Sequence, residues 1–446
     1  MNKNLLYILS FFISFIGAFL FTNDFYASIG IGLFIFFSTK LFYDIGKKIE
    51  IRDIIITIAS LQWIIGPFLS YTFYPDNQFY FMAVDRGTYM SFAVPATLFF
   101  AIGMFLPIWK NKKSNNFYLE ELKELLNKYK NLDIIFIILG SIFYFYIDYA
   151  PISIKFAIFI ISGIRFVGLF LLFISKRKHR IILVFIIIGW FFLITLRETI
   201  FHEFIIWMLF FIFVVSFITK PKLRTKVIYS LSLVLLVIVI QTVKYKFRQE
   251  VQNSENRLSL FTKLVSNDIL ESNTVTSENN LEAMVVRINQ GWIIARIMYW
   301  TPSREPFANG ETILASIKES LIPRFLDPNK TISAGGRTYF TRFTGKLISD
   351  NTSMGLGLLG EAYANYGILG GSVFMFIIGL FYNFVLFLIF KISIKHPLLI
   401  FFIPLIFLQV IKAETDFSVI LNHLVKSSLF VFVFFIFVNK FLNVKI

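Results

Sequence analysis

Apolar residues in this chain come in long, nearly unbroken runs, with neither the alternation of half-buried strands nor the one-sided stripe of soluble helices. A helix needs roughly 20 such residues to cross the hydrocarbon of a bilayer. Runs near 5–22, 26–39, 53–73, 89–109, 132–148, 156–175, 181–199, 204–219, 227–243, 366–390, 397–412 and 427–439 approach or meet that length. They predict an all-α polytopic membrane helical bundle of about 12 transmembrane helices. The first run follows Lys3 as in a signal peptide, but no small-x-small cleavage site comes after it, so it is read as a retained helix.

Composition agrees with lipid as part of the solvent. Of 446 residues 57% are hydrophobic and 58 are Phe, more apolar surface than a soluble domain of this length can bury. The formal charge of +16 lies mainly in short connections between runs, which argues for topology and headgroup contact, with no nucleic-acid partner. With the N-terminus inside, segments 1–4, 40–52, 110–131, 176–180, 220–226, 391–396 and 440–446 carry 23 Lys+Arg. The short outer connections carry four, Arg86 plus the boundary residues Lys155, Lys412 and Lys426. That asymmetry places both termini in the cytoplasm.

The exception is 244–353, with 14 Lys+Arg against 11 Asp+Glu, assigned outside because long segments translocate largely regardless of charge. The chain then divides into an N-terminal membrane bundle 1–243, a large extracytoplasmic loop 244–353 and C-terminal membrane helices 354–446. The loop is partly helical: 281–300 and 311–322 have helical apolar spacing, as expected for short helices at the membrane surface. On the inner side, LEELKELLNKYK within 110–131 reads as an amphipathic surface helix.

With no Cys and four His, thiolate chemistry is excluded and no metal site is predicted; nor is there a nucleotide-binding glycine loop or other cofactor signature. Ionisable residues within spans cost roughly 2.5–3.5 kcal/mol each on insertion scales, so each requires a reason. Arg165 stands mid-run. Arg197, Glu198, His202 and Glu203 sit at one outer turn, Asp148 ends another run, and Lys412, Glu414, Asp416 and His423 gather at a third outer end. Together they suggest a polar cavity opening outward.

Met354 to Phe390 is too long for a single crossing, so its first part, MGLGLLGEAYANYGILGG at 354–371, is expected to begin as a half-helix. Gly360/Ala364 and Gly367/Gly371 permit close approach of another helix or a lipid tail. Glu361 and Asn365 share one face, with Tyr363 between them. A carboxylate there either pairs with a cation such as Arg165, Arg197 or a loop arginine, or takes a proton from a substrate hydroxyl. Among the loop arginines, Arg287, Arg324, Arg337 and Arg342 are candidates for bidentate phosphate binding, the last three leading into the Glu361 segment.

The layout and three local segments resemble the Wzy-type O-antigen and oligosaccharide repeat-unit polymerases, relatives of the O-antigen ligases. LITLRETI at 193–200 is similar to that family's arginine-bearing helix; Arg324 and Gly335 are similar to its Arg-x10-Gly loop pattern; GEAYANYGILG at 360–370 is similar to the segment after its loop. No second Arg-x10-Gly is found in an outer loop. The resemblance implies a bacterial cytoplasmic-membrane glycosyltransferase that polymerises undecaprenyl-diphosphate-linked oligosaccharides, with a chain-length regulator and a flippase as partners. With that substrate, Arg197 and the loop arginines are expected to hold the diphosphate without a metal, and Glu361, then His202, is the candidate base. Rival readings are a lipid-linked sugar flippase, a membrane acyltransferase using His202 or His423, and a metal-dependent transferase using Glu414 and Asp416.

Overall fold

The computed structural model describes residues 3–47, 51–108, 115–253, 256–267, 278–322, 336–349 and 354–441. Its helices are α1 (Lys3–Thr22), α2 (Phe25–Asp44), α3 (Ile51–Ser60), α4 (Gly66–Phe73), α5 (Arg86–Phe105), α6 (Asn115–Lys128), α7 (Leu132–Tyr146), α8 (Ile152–Ser162), α9 (Ile164–Ile174) and α10 (Arg180–Glu198). They continue as α11 (Phe201–Thr219), α12 (Leu223–Glu250), α13 (Arg257–Val265), α14 (Glu278–Ile288), α15 (Gly291–Trp300), α16 (Glu311–Leu321), α17 (Gly336–Thr344), α18 (Gly357–Ser393), α19 (Ile403–Ile406) and α20 (Phe417–Phe441). Eleven helical stretches among the described residues are long and apolar enough to cross a membrane, α3–α4 and α8–α9 each forming one. The protein is an all-α polytopic helical bundle. Residues such as Ile13, Leu20 and Leu235 stay more than 60% exposed, as lipid-facing side chains do.

Two compact units cut across the linear three-part division expected from the loop. One comprises 1–43, 50–112 and 285–446; the other comprises 44–49 and 113–284. In the first unit α5 joins α18 although Gly103 and Gly379 stand 276 positions apart in the sequence. Their backbones meet at these two glycines: a Cβ on Gly103 would stand 2.3 Å from the Phe376 carbonyl oxygen, and one on Gly379 would stand 2.3 Å from that of Phe100. Asn383 then donates to the carbonyls of Gly103 and Leu106, closing the end of α5.

The eleventh expected crossing, 397–412, is not a regular helix. It is a 3-10 turn at Pro397–Phe402, the four residues of α19 and a run of turns. It nevertheless traverses the bundle. Glu361 near the start of α18 touches Phe417 at the start of α20, while His396 after α18 packs on Phe435 far along α20, with ring centroids 5.7 Å apart. The two helices are therefore parallel, and the segment between them returns the full length. Irregular backbone at membrane depth is tolerated only inside protein; residues 398–408 are all buried. Side chains serve its carbonyls: the His423 ring meets Leu405 O at 2.8 Å and Trp63 Nε1 donates to Ala413 O at 3.2 Å.

Two further irregularities in this unit are stitched by loop residues. A π-helical turn at Leu61–Ile65 leaves carbonyls to other donors. Gln290 N–H bonds the Gln62 carbonyl and the Tyr89 hydroxyl donates to that of Trp63 at 2.7 Å. The second is Gly367, whose φ of 65° and ψ of −158° break α18, as the expected half-helix requires. The Ala364 and Asn365 carbonyls accept from the amides of Ala308 and Asn309 at 3.0 and 3.1 Å. The helices expected in the loop are present as α14, α15 and α16, and the amphipathic inner helix as α6.

The second unit packs α7 against the broken pair α8–α9, again through glycine. A Cβ on Gly140 would stand 2.4 Å from the Arg165 amide, and one on Gly168 would stand 2.8 Å from the Asp133 carbonyl. At the far end of this pair, buried Asp133 takes both arms of Arg177, each at 2.8 Å.

Candidate functional site

The predicted residues divide between the units. Glu361, Tyr363, Asn365, Arg287, Arg337 and Arg342 belong to the first; Arg165, Arg197 and His202 belong to the second. Arg324 and Gly335 lie outside the described residues.

In the first unit Glu361 is 3% exposed, yet its partners are neutral. The Thr312 hydroxyl donates to Oε1 at 2.8 Å and the Phe417 amide to Oε2 at 3.1 Å. Asn365 completes the network: Nδ2 donates to Thr312 Oγ1 at 2.7 Å and to the Glu361 carbonyl, while Oδ1 accepts from Gly310 N–H at the start of α16. Of the two alternatives for this carboxylate, pairing with a cation is not seen: among the described residues no ion pair is formed by Glu361. The carboxylate instead sits at the N-terminus of α20, where amide groups and the helix dipole favour negative charge. Both oxygens are occupied, so the arrangement fastens α16, α18 and α20 together and suits a positioning role. Tyr363 is buried between rings, 5.1 Å from Phe92 and 5.9 Å from Phe307 by centroid.

The described loop arginines are mostly engaged. Arg342 donates to Glu305 at 2.5 Å and to both oxygens of Glu311 at 2.9 and 3.0 Å, and these hydrogen bonds hold its guanidinium above the usual arginine range. Arg337 bonds the Ile348 carbonyl, and Arg287 is exposed. Thr312 and Asp416 also belong to this site, and no sequence spacing signals them as partners. Asp416 Oδ1 accepts from Gly357 N–H at 2.7 Å, in space that exists because residue 355 is glycine. Burial pushes the Asp416 carboxyl above the usual range, against the pull of the Gly357 and Leu356 amides. Glu414 is exposed and accepts from Gln290.

In the second unit Arg165 is 7% exposed within the α8–α9 span, and neither Nε nor Nη1 has a hydrogen-bond partner. The guanidinium lies 3.9 Å from the Tyr144 ring centroid, 4.9 Å from Phe166 and 5.5 Å from Phe191. Phe166 is itself stacked on Trp207 at 4.0 Å. Glu203 is close enough to act on its charge, but no ion pair joins them. Cation–π contact recovers about 0.5–2 kcal/mol, less than a buried cation forfeits. The contrast is internal: buried Asp133 has Arg177 and buried Asp53 has Lys40, whereas Arg165 lies against rings and forms no ion pair among the described residues. Arg197 ends α10 exposed, its carbonyl bonded by Arg257, and His202 is exposed in the first turn of α11.

No protein-family model matches the chain, and neither a curated protein nor a solved structure matches it significantly.

Proposed function

We propose that the protein is a membrane glycosyltransferase that polymerises undecaprenyl-diphosphate-linked oligosaccharide repeat units into a surface polysaccharide, outside a bacterial cytoplasmic membrane. The observation that carries this reading is Arg165, a guanidinium with unmet donors held in an aromatic box inside a span. Such a group suits a ligand that is anionic and also presents sugar or isoprenoid to stack on rings, which a lipid-linked oligosaccharide does. The resemblance of GEAYANYGILG and of the helix–loop layout to the Wzy-type polymerases supports the same substrate.

In this reading an acceptor hydroxyl attacks the anomeric carbon of the donor sugar. The bond from that carbon to the diphosphate oxygen breaks, and lipid diphosphate leaves. Arg165 and Arg197 hold the diphosphate and stabilise its growing charge, a role that needs no metal. The hydroxyl proton passes to a base, for which exposed His202 is the candidate. Glu361 acts as a positioning residue that keeps α16 fastened to the broken helix.

The test is polymer formation by purified protein in lipid discs supplied with lipid-linked oligosaccharide. The expected result is a ladder of products that Arg165→Ala and Arg197→Ala each reduce roughly 100-fold, the size of losing one preorganised anion donor. A ladder at the wild-type rate from Arg165→Ala overturns the reading. So does transport of the intact donor across a proteoliposome without any chain growth, which identifies a flippase.

A further inference from the structure

The second unit contains a feature unrelated to Arg165. A cavity of about 630 Å³ lies where α2 ends, α11 ends and α12 begins, and its lining includes Gly46, Lys47, Asn116, Lys220, Pro221 and Lys226. Three ammonium groups thus border one concavity. Nearby Asp44, 3.5 Å from Lys47, acts on both Lys47 and Lys226 and offsets part of this charge.

Local backbone builds this arrangement. Gly46 has φ of 82°, and a Cβ there would stand 2.7 Å from the Ser216 carbonyl. Lys220 ends α11 in the left-handed conformation, φ 48° and ψ 61°, with its amide on the same carbonyl. The Lys220 amide bonds the Ser216 carbonyl and the Gly46 backbone passes close to it, so Lys47 and Lys220 come to one rim. Asn116 Oδ1 accepts from Lys220 Nζ at 2.6 Å, orienting that side chain. Lys226, in the first turn of α12, is only 8% exposed. Topology needs lysines flanking a span, solvated and dispersed. It does not need one buried beside two exposed ones, where burial and the charge of Lys47 both disfavour the Lys226 ammonium.

Below the cavity, α12 presents an apolar stripe. Ile228, Leu231 and Leu235 recur at i, i+3 and i+7 on one face and are 59%, 62% and 63% exposed. The N-terminus of α12 adds its partial positive charge at the top of that stripe.

We propose that this cavity binds the phosphate-bearing headgroup of an anionic phospholipid, with the acyl chains lying along α12. Three lysines and a helix N-terminus match a phosphodiester, and the adjoining stripe matches a ligand with hydrocarbon attached. A free phosphate shares the first chemistry but not the second.

Native mass spectrometry of the full chain, released from discs of equal phosphatidylglycerol and phosphatidylcholine, tests the proposal. Phosphatidylglycerol should be retained in preference, and its apparent affinity should fall about five-fold for each of Lys47→Gln, Lys220→Gln and Lys226→Gln. Saturating inorganic phosphate should fail to displace it. A diazirine-bearing phosphatidylglycerol should crosslink within 223–235. Equal retention of the two lipids by the unaltered protein overturns the proposal without recourse to variants. Unchanged affinity in a folded triple variant, or crosslinks confined to other helices, also overturns it. Complete displacement by phosphate overturns the lipid assignment and leaves a site for soluble anions.

Discussion

Glu361 and Asp416 cap each other's helices. Glu361, in the first turns of α18, accepts the Phe417 amide that opens α20; Asp416, just before α20, accepts the Gly357 amide that opens α18. Two parallel helices thereby exchange a carboxylate each. Each acid sits where the partner helix has unmet amides.

Replacing Glu361 with Gln leaves one acceptor oxygen for two donors, Thr312 and Phe417. The expected outcome is a loss of about 1–3 kcal/mol in stability, read as folded yield and thermal midpoint, with turnover per folded molecule largely kept. A fall in turnover of about 100-fold at unchanged yield would instead make this carboxylate the base.

Asp416 gives a pH signature. Its folded-state carboxyl lies above the ordinary value, so the native chain holds the proton more tightly than the unfolded chain. Stability from this group is fully present below the unfolded value of about 3.9 and declines as pH rises through that value toward the raised one. Asp416→Asn keeps an acceptor for Gly357 and removes the titration. The difference in thermal midpoint between variant and wild type should therefore shift in the variant's favour as pH rises from about 4 and level off beyond the folded value.

Arg165→Met separates function from stability. Removing a buried cation that lies against rings and forms no ion pair among the described residues should leave the thermal midpoint unchanged or raise it. Polymer formation should disappear in the same preparation. A clear drop in midpoint would mean that the guanidinium supports the fold.

The glycine crossing of α5 and α18 predicts unequal effects of one substitution. Gly379→Ala places a methyl against the Phe100 carbonyl, and a backbone shift costing about 1–3 kcal/mol is expected. Gly17→Ala has nothing within 4 Å and should be neutral or stabilising. Thermal unfolding of both variants in one detergent checks this.

Span existence was legible because hydrocarbon demands long apolar runs, and every expected run but 397–412 coincides with a helical span. The 397–412 run misled for a physical reason. Lipid exposure and burial in protein both select apolar residues, so composition alone could not reveal that Pro397 and Pro404 interrupt a segment enclosed by other helices. Arg165 stood out because a charge within an apolar run is rare. Its box of Tyr144, Phe166 and Phe191 comes from three helices, and no local spacing encodes that. The Glu361 segment was conspicuous for its glycines, but its donors, Thr312 and Phe417, lie 49 and 56 residues away. Gly103 and Gly379 carried no signal, since a close backbone approach shows only once both helices are placed.

The enclosed crossing also bears on biogenesis. A membrane segment normally enters the bilayer as a finished helix and finds its neighbours afterwards. The 397–412 stretch cannot do so in its folded form, because alone its turns would hold unpaired peptide groups in hydrocarbon. It can settle only when α18 is already in place and α20 supplies His423 to Leu405. The last three crossings must therefore enter as one cooperative event. A ribosome that stalls before residue 423 would leave the chain with a tail unable to stay in the membrane.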